Sequence, residues 1–550
     1  MLKKLFIPVA IGSIELANRI VMPAVHLNYT PESLVTDRLI HFYVERAAGG
    51  VGLIIVGGCP VDEYAGAGFM LGLSDDRFIP GLQRLTQAVH QEGVPVAAQL
   101  YHAGRYSHST LIGRQAIAPS AVESRFTRET PREMTQADIE RTIGNFAQAA
   151  RRAREAGFDA VEISSSNRYS DPLLADKVLR QGSADLIALG RPLIADPEWP
   201  RKAREGRLDE IVPCIACNQG CFDHIFAAQP VSCLMNPRAG HEGEYRLDGS
   251  TGLTAGPAAK AKRVMVVGGG PAGMEAALTA AARGHQVTLY EKAERLGGQL
   301  NWAAVPPGRE EFETAIRSLA ARMARLGIEV KLGQEVTLDL VRAASPDAVV
   351  VATGARPAVP AIPGVESEHV VQAGEVLEGE VDVGRRVVIL GGGAVGCELA
   401  LHLAQMGTME ASTLRFLVLN KAESWETLEA LVTHGIKEVT LVEALPKVGQ
   451  DIGLTTRWTI LQDLRRYGVK MLASATATEI TSDGVVVEVD GKEELIEGDT
   501  VVLALGSSPD TALYEQLKDQ VGELYLVGDA RSPRKAYEAI HEGFRVGMEI

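Results

Sequence analysis

The chain has 550 residues, of which 46% are apolar and 23% are charged, and its formal net charge is −15. This length is too great for one hydrophobic core, so we expect about three or four domains. The acidic balance excludes a general affinity for nucleic acid or for an anionic membrane surface, because both attract basic faces.

The sequence also limits where the protein acts. Its N-terminus carries Lys3 and Lys4 but no long apolar stretch followed by small residues, so we predict no signal peptide. No apolar run approaches about eighteen residues, which excludes a membrane-spanning helix. Six cysteines, four of them clustered, do not resemble a disulfide framework. We therefore expect a protein of the reducing cytoplasm.

Residues 20–213 alternate β-rich runs with helical stretches, a pattern typical of parallel βα units. Thr135 and Asp138 begin one helix with a capping box. Several β-rich runs end in Gly, His or Arg, which collect at the catalytic face of a barrel. The runs are IVMPA (20–24), LIIVGG (53–58), PVAAQLYH (95–102), FDAVEIS (158–164) and ADLIALGRP (184–192).

A cysteine cluster with the spacing C-x2-C-x3-C-x11-C occupies the next segment, residues 213–240. Zinc sites usually show two ligand pairs separated by a longer loop, whereas three close cysteines and a distant fourth suit a cubane iron–sulfur cluster. Zinc and plain buried thiols remain alternatives at this point. The four candidate ligands are Cys214, Cys217, Cys221 and Cys233.

Residues 241–262 are rich in Gly, Ala and polar residues and predict a linker. A strand, a glycine turn and an Ala-rich helix follow. The turn has the G-x-G-x-x-G spacing that lets a pyrophosphate approach backbone N–H groups, and Glu291 ends the next strand, where a carboxylate can hold a ribose hydroxyl. The runs RLGGQL (295–300), VVVATGARP (349–357) and LYLVGDA (524–530) favour FAD. The glycines are Gly268, Gly270 and Gly273.

The same design recurs at residues 385–407, so we expect two related nucleotide-binding domains. One comprises residues 263–384 plus 500–550, and the other residues 385–499. In the second domain an insertion at 408–437, with the spacing of surface helices, delays the strand that ends at Glu443. An acidic residue there favours NAD over NADP. Its glycines are Gly391, Gly393 and Gly396.

These motifs together carry a family resemblance over nearly the whole chain. RIVMPA, QLYHAGRY, ADLIALGRPLIADPEWP, CIACNQGC with the distant SCLMNPRA, and both glycine turns resemble the NADH:flavin oxidoreductase family of Old Yellow Enzyme type. The similarity is to its long form, typified by bacterial 2,4-dienoyl-CoA reductase, enoate reductases and trimethylamine dehydrogenase. It implies an α/β fold with an N-terminal (β/α)8 TIM-barrel-type domain at residues 1–212 and two Rossmann-like domains.

The resemblance also implies cofactors and their contacts. The four cysteines would hold a [4Fe-4S] cluster, Gln219 would touch FAD, and NADH or NADPH would dock on the second glycine turn. The positions similar to FMN contacts are Ala24, Val25, His26, Gly58, Gln99, Gly190 and Arg191. The positions similar to FAD contacts are Gly268, Gly270, Ala272, Gly273, Glu291, Gln299, Arg309, Gly528 and Asp529.

The implied reaction passes electrons from NADH through FAD and the cluster to FMN, which reduces an activated C=C bond in an enoyl or dienoyl thioester or an enoate. Amine dehydrogenation is disfavoured, because Leu27 stands where a cysteine tethers FMN in trimethylamine dehydrogenase. An electron-transfer module or diaphorase that reduces no alkene is the alternative. A homo-oligomer is compatible with the sequence.

The barrel, however, is short. A (β/α)8 barrel needs about 250 residues, yet only five strands precede Cys214. The shortage localises to VEISSSNRYSDPLLADKVL. If the segment is aligned with the family from its N-terminal side, Tyr169 resembles the proton donor that follows the fourth strand. If it is aligned from its C-terminal side, Arg168 resembles the phosphate contact of FMN that follows the seventh strand. We therefore expect strands five, six and most of seven to be missing, through a deletion or, preferably, an incomplete record of a complete enzyme.

Overall fold

The computed structural model describes residues 2–66, 68–124, 127–162, 171–245, 258 and 260–550. The chain divides into two compact units, Met1–Pro257 and Ala258–Ile550. Within the described residues, no helix is both long and apolar enough to cross a membrane. Tyr169 and Arg168 lie outside the described residues.

The first unit contains the β-strands and α-helices expected of βα repeats. Its described strands are β1 (Val9–Ile11), β2 (Ile14–Leu16), β3 (Ile20–Met22), β4 (Leu53–Pro60), β5 (Val96–Tyr101), β6 (Ile117–Ala118), β7 (Arg132–Glu133), β8 (Ala160–Glu162) and β9 (Ile187–Ala188). Its described helices are α1 (Asp37–Ala48), α2 (Ile79–Gln91), α3 (Ser109–Ile112), α4 (Gln136–Glu155), α5 (Pro172–Arg180), α6 (Arg191–Ala195), α7 (Trp199–Glu205) and α8 (Phe222–Phe226).

Five of these strands form one parallel sheet in the order β8-β5-β4-β3-β9. They correspond to the five predicted runs, so that prediction is confirmed. Strands β3 and β4 are buried along their whole length, because the apolar stripes of α1 and α2 pack in the same core. The capping box that Thr135 and Asp138 predicted begins α4.

The sheet does not close into a ring within the described part of the chain, since β8 and β9 each pair on one side only. In this order they flank the place where the fifth to seventh strands of a barrel would lie. Apolar side chains of β8 and of helices α4 and α5 are exposed: Val161 of β8 by 45%, Leu173 of α5 by 58% and Ile143 of α4 by 65%. A closed barrel would bury strand β8 on both sides.

The start of the predicted linker is not a linker. Glu242 is buried, and its Oε1 accepts a hydrogen bond at 2.5 Å from Nη1 of the fully buried Arg46 on α1. Its Oε2 accepts from the backbone N–H of Gly240 at 2.9 Å. A buried ion pair needs such partners, because an unpaired buried charge is costly. Residues 241–245 therefore pack on the first unit, and 246–257 lie outside the described residues.

The second unit contains two parallel sheets. Its strands are β10 (Arg263–Val267), β11 (Gln286–Tyr290), β12 (Glu329–Lys331), β13 (Ala348–Val351), β14 (Ala355–Pro357), β15 (Val370–Gln372), β16 (Arg386–Leu390), β17 (Glu438–Glu443), β18 (Lys470–Ala473), β19 (Ala475–Thr481), β20 (Gly484–Val489), β21 (Lys492–Glu497), β22 (Thr500–Leu503), β23 (Ser507–Pro509) and β24 (Glu523–Leu526). Its helices are α9 (Pro271–Ala282), α10 (Leu300–Ala303), α11 (Glu311–Arg325), α12 (Leu338–Ala344), α13 (Ala373–Glu378), α14 (Ala394–Gln405), α15 (Ala411–Asn420), α16 (Trp425–Thr433), α17 (Leu454–Arg466), α18 (Ala512–Leu517) and α19 (Ala536–Glu549).

The sheet orders are β12-β11-β10-β13-β24 and β15-β22-β16-β17-β18. In each, the strand before the glycine turn, β10 or β16, is central and fully buried beyond its first residue. The C-terminal strand β24 returns to the first sheet. Strands β15 and β22, which fall within the predicted bounds of the FAD-binding domain, pair in the second sheet instead. The insertion at 408–437 contains α15 and α16, and α15 buries none of its residues.

Candidate functional site

The first glycine turn, between β10 and α9, leaves space in front of a helix. Gly268 has φ +111°, and a Cβ there would lie 2.2 Å from the carbonyl oxygen of Ala352. A Cβ on Gly273 would lie 2.0 Å from the carbonyl oxygen of Gly268, so α9 packs closely on the turn. A Cβ on Gly270 would meet nothing within 4 Å, and no side chain caps the helix. The turn thus fits the pyrophosphate of a dinucleotide.

Glu291 stands directly after β11 and is nearly buried. Its Oε2 accepts a hydrogen bond from the backbone N–H of Gly269 at 2.6 Å, and its Oε1 accepts one from Ala293 at 2.8 Å. These bonds fix the carboxylate beside the turn, where a ribose hydroxyl is expected.

The C-terminal end of the chain completes this region. Gly528 has φ +65°, and a Cβ there would lie 2.8 Å from the Cβ of Ala272 on α9. The adjacent Asp529 accepts from the backbone N–H of Arg534 at 3.0 Å, and burial raises the pKa of its carboxyl. The structure therefore brings Ala272 and Gly528 into contact. Gln299 directly precedes α10.

The second glycine turn, between β16 and α14, repeats these contacts. Gly391 has φ +107°, and a Cβ there would lie 2.3 Å from the carbonyl oxygen of Ala504. A Cβ on Gly396 would lie 1.9 Å from the carbonyl oxygen of Gly391. Glu443, at the end of β17, accepts from the backbone N–H of Gly392 at 2.7 Å and from that of Leu445 at 2.8 Å.

One acidic residue that the sequence did not single out distinguishes the second turn. The Oδ2 atom of Asp451 accepts from the backbone N–H of Ala394 at 3.0 Å, at the first residue of α14. It also lies 3.2 Å from the position that a Cβ on Gly393 would occupy. At the first turn the corresponding position is Pro271, which has no N–H to donate. A carboxylate thus lies where a phosphate of the dinucleotide is expected.

Arg309, predicted to contact FAD, forms an ion pair with Glu398 of α14. Both side chains are largely buried. Burial raises the pKa of Glu398, and the Arg309 guanidinium opposes that shift. Arg309 therefore links the loop before α11 to the helix of the second turn. The only sequence signal for Glu398 was its place two residues after Gly396.

The four clustered cysteines line one cavity in the first unit. Burial raises the pKa of Cys217 to about 12 and raises the pKa values of Cys221 and Cys233, and the neighbouring thiols add to the shift. Most other lining side chains are apolar. They include Ile194, Ile215, Leu234 and Met235.

A single metal ion and a multi-iron cluster place different demands on the four cysteines. Among the described residues, no group of three or more His, Cys, Asp or Glu side chains is close enough to hold a single metal ion. Zinc requires such a group, with thiolates at about 2.3 Å from one centre. A cubane cluster accepts a wider arrangement, because each thiolate binds a different iron atom. The choice of an iron–sulfur cluster over zinc therefore stays a prediction from the cysteine spacing.

Two polar side chains at this segment differ in their hydrogen bonding. Nη1 of Arg191 donates to Oδ1 of Asn218 at 2.9 Å, and Arg191 lines the cysteine cavity, although the sequence assigned it to FMN. The Oε1 atom of Gln219 is buried without a hydrogen-bond partner in the described structure. A buried acceptor of this kind is available to a bound group.

A second cavity lies at the carboxyl ends of β3 and β4, where FMN is expected. Val25, His26 and Gly58 line it. A Cβ on Gly190, after β9, would lie 3.7 Å from Val25. The structure thus brings together four of the predicted FMN positions, and Ala24 immediately precedes Val25.

Hydrogen bonds fix polar groups beside this second cavity. Nε2 of Gln99 donates to Oε2 of Glu162 at 3.0 Å, which joins the ends of β5 and β8. The sequence did not single out Glu162. Burial lowers the pKa of His26, whose Nε2 lies 2.5 Å from Oδ1 of Asn28. Some of the predicted FMN positions therefore lie around one cavity, while the predicted phosphate contact Arg168 lies outside the described residues.

Two known protein families match the two units separately. Residues 4–171 and 165–210 match the NADH:flavin oxidoreductase / NADH oxidase family in two separate stretches. Residues 262–543 match the pyridine nucleotide-disulphide oxidoreductases. The two stretches of the first match overlap at 165–171, between β8 and α5.

Whole-length relatives support both matches. A metal reductase of Desulforamulus reducens is 38% identical over 672 aligned positions, which cover 99% of each chain. A cinnamate reductase of Clostridium sporogenes is 27% identical over 701 positions, which cover 100% of this chain and 99% of the relative. Both alignments are longer than this chain, so each relative has residues opposite gaps in it.

Among solved structures, 2-naphthoyl-CoA reductase in complex with 2-naphthoyl-CoA is similar over 100% of both chains, with a TM-score of 0.88 and 27% identity. The fold class predicted from the sequence, a TIM-barrel-type domain followed by Rossmann-like domains, is confirmed. The chain belongs to the NADH:flavin oxidoreductase / NADH oxidase family, in the form that continues into a pyridine nucleotide-disulphide oxidoreductase domain.

Proposed function

We propose that this NADH:flavin oxidoreductase reduces an activated C=C bond in an enoyl or dienoyl thioester or an enoate, and that it holds FAD, a [4Fe-4S] cluster and FMN. The observation that carries the proposal is the single cavity lined by all four clustered cysteines, in a chain with two dinucleotide turns. Such a chain would hold a one-electron carrier, the cluster, together with two-electron carriers, the flavins and NADH.

Each group has residues of this chain to hold it. Cys214, Cys217, Cys221 and Cys233 would bind the cluster, the turn at Gly268 with Glu291 would bind FAD, and the turn at Gly391 with Glu443 would bind NADH. Val25, His26, Gly58, Gln99 and Gly190 would contact FMN. When bound, the flavins supply both hydride and single-electron transfer, and the cluster supplies single-electron transfer between them.

The substrate class is supported by two relatives. The names of the cinnamate reductase and of the 2-naphthoyl-CoA complex specify unsaturated acids or their thioesters. In such substrates the carbonyl group withdraws charge from the C=C bond and accepts the charge that develops on hydride addition. Tyr169 remains the candidate proton donor.

The decisive experiment combines cofactor analysis with an anaerobic NADH titration of the full chain. We expect FAD, FMN and four iron atoms per chain, and bleaching of both flavins by NADH. Cinnamate and crotonyl-CoA serve as probes, with the saturated products measured by mass. If the protein carries FAD and iron but no stoichiometric FMN, or if neither probe is reduced, the proposed alkene reduction is wrong.

A second candidate is an NADH-dependent electron-transfer enzyme that reduces a metal ion or a dye instead of an alkene. It is favoured by the 38% identity to a protein named metal reductase and by the open sheet around the FMN cavity. Reduction of ferric citrate by NADH with protein that contains FAD and iron but no FMN would support this candidate.

A further inference from the structure

Arg191 is held at the cysteine cavity by both backbone and side chain. It follows β9 and begins α6, whose Leu193 and Ile194 are buried in the core. From this fixed backbone its guanidinium donates to Asn218 at 2.9 Å and lies 5.3 Å from the ring centroid of Phe222. The side chain therefore has one defined direction, toward the segment that carries the cysteines.

The partner of Arg191 lies in a strained turn. Ala216 and Asn218, on either side of Cys217, have φ values of +52° and +62°. Residues with a Cβ rarely adopt this left-handed conformation, and they keep it only where the surroundings hold it. The bond from Arg191 joins residues 27 positions apart and ties the turn to the last strand of the sheet.

Arg191 also brings a positive charge to the cavity. It is the only Lys, Arg or His among the described residues that line it. In apolar surroundings such a charge is screened less than in water.

We propose that Arg191 is a positioning residue for the iron–sulfur cluster. It anchors the turn between the cysteines through Asn218, and its positive charge favours the reduced cluster. This inference rests on the proposed function in one respect: the four cysteines must hold a cluster. An added electron makes the cluster more negative, and the charge and hydrogen bonds around a cluster set its potential.

The test compares Arg191→Gln, Arg191→Lys and Asn218→Ala with wild type and with Arg154→Gln, which removes an exposed arginine from α4. The readouts are the cluster's midpoint potential, from dithionite titration followed by electron paramagnetic resonance, and the rate of iron loss to a chelator. We expect Arg191→Gln to lower the potential by at least 59 mV, a tenfold change in a one-electron equilibrium.

The other variants separate anchoring from charge. Arg191→Lys and Asn218→Ala keep a positive charge, so their potentials should shift less, but they should lose iron several-fold faster because the turn is released. Arg154→Gln should match wild type in both readouts. Loss of all iron from Arg191→Gln alone would support the anchoring role. Wild-type potential and iron-loss rate in Arg191→Gln would overturn the inference, whereas wild-type protein without iron would instead overturn the proposed function.

Discussion

The two glycine turns of the second unit share a backbone and differ in front of their helices. Each has a glycine near φ +110° against a neighbouring strand and an acidic residue bonded to two backbone N–H groups. At the first turn the space before Pro271 is open, whereas at the second the Asp451 carboxylate bonds to Ala394. An anion must therefore compete with a fixed negative charge only at the second turn.

This difference suits two kinds of ligand. A cofactor that stays bound through many turnovers gains from an unopposed helix N-terminus, whereas a nucleotide that must leave after each turnover does not. The comparison teaches that the glycine spacing sets the shape of a dinucleotide site, and that a neighbouring side chain sets how strongly it holds an anion. The four predictions below test this division.

The largest effect is expected from Gly273→Val. Its Cβ would lie 2.0 Å from the carbonyl oxygen of Gly268, so α9 must move away from the turn. We expect at least a tenfold loss of bound FAD, measured by flavin release and chromatography. Gly522→Val is the matched control, because a Cβ there meets nothing within 4 Å. Normal FAD content in Gly273→Val would show that the first turn does not bind it.

Gly396→Val makes the same change at the second turn, where the Cβ would lie 1.9 Å from the carbonyl oxygen of Gly391. We expect FAD to remain and NADH to bleach it at least about a hundredfold more slowly in anaerobic stopped-flow measurements, because the pyrophosphate loses its place. Dithionite should still bleach the flavin. An unchanged NADH rate would remove the second turn from the reaction.

Glu443→Gln tests nucleotide choice. A charged carboxylate that accepts hydrogen bonds from a ribose contributes about 1.5–3 kcal/mol, so kcat/KM for NADH should fall about tenfold. The value for NADPH should fall less, because the 2′-phosphate no longer faces a charge. Glu438→Gln, exposed at the start of β17, is the control. Equal losses with both nucleotides would contradict a role in choosing between them.

The smallest effect is expected from Asp451→Asn. The amide oxygen can still accept from Ala394, but the negative charge is removed from the helix N-terminus. Charge at such a position contributes about 0.3–1 kcal/mol, so Kd for NAD⁺ should fall about two- to fivefold, with the difference shrinking at high salt. Asp463→Asn on α17 is the control. Weaker binding would mean that Asp451 helps the nucleotide instead of competing with it.

Local patterns predicted much of this molecule. All five β-rich runs predicted for the first unit are strands. They were predictable because a short apolar run bounded by turn residues is a signal contained within a few neighbouring residues. The pairs Arg191–Asn218, Arg309–Glu398 and Ala394–Asp451 were not predictable, because they join residues that are distant in sequence and depend on tertiary packing. The roles of Arg168 and Tyr169 stay predictions, since both lie outside the described residues.

The open sheet has a consequence for how the first unit folds. Strand β9 docks on β3 through two residue pairs only, and the bond from Arg19 to the Asp185 carbonyl beside it spans 166 positions. Folding must bring these distant parts of the chain together before it gains the few contacts between β3 and β9, so the pairing of these two strands is slow. Until they pair, β3 offers an unpaired edge to other chains. Refolding yield should therefore fall as protein concentration rises, through association at this edge.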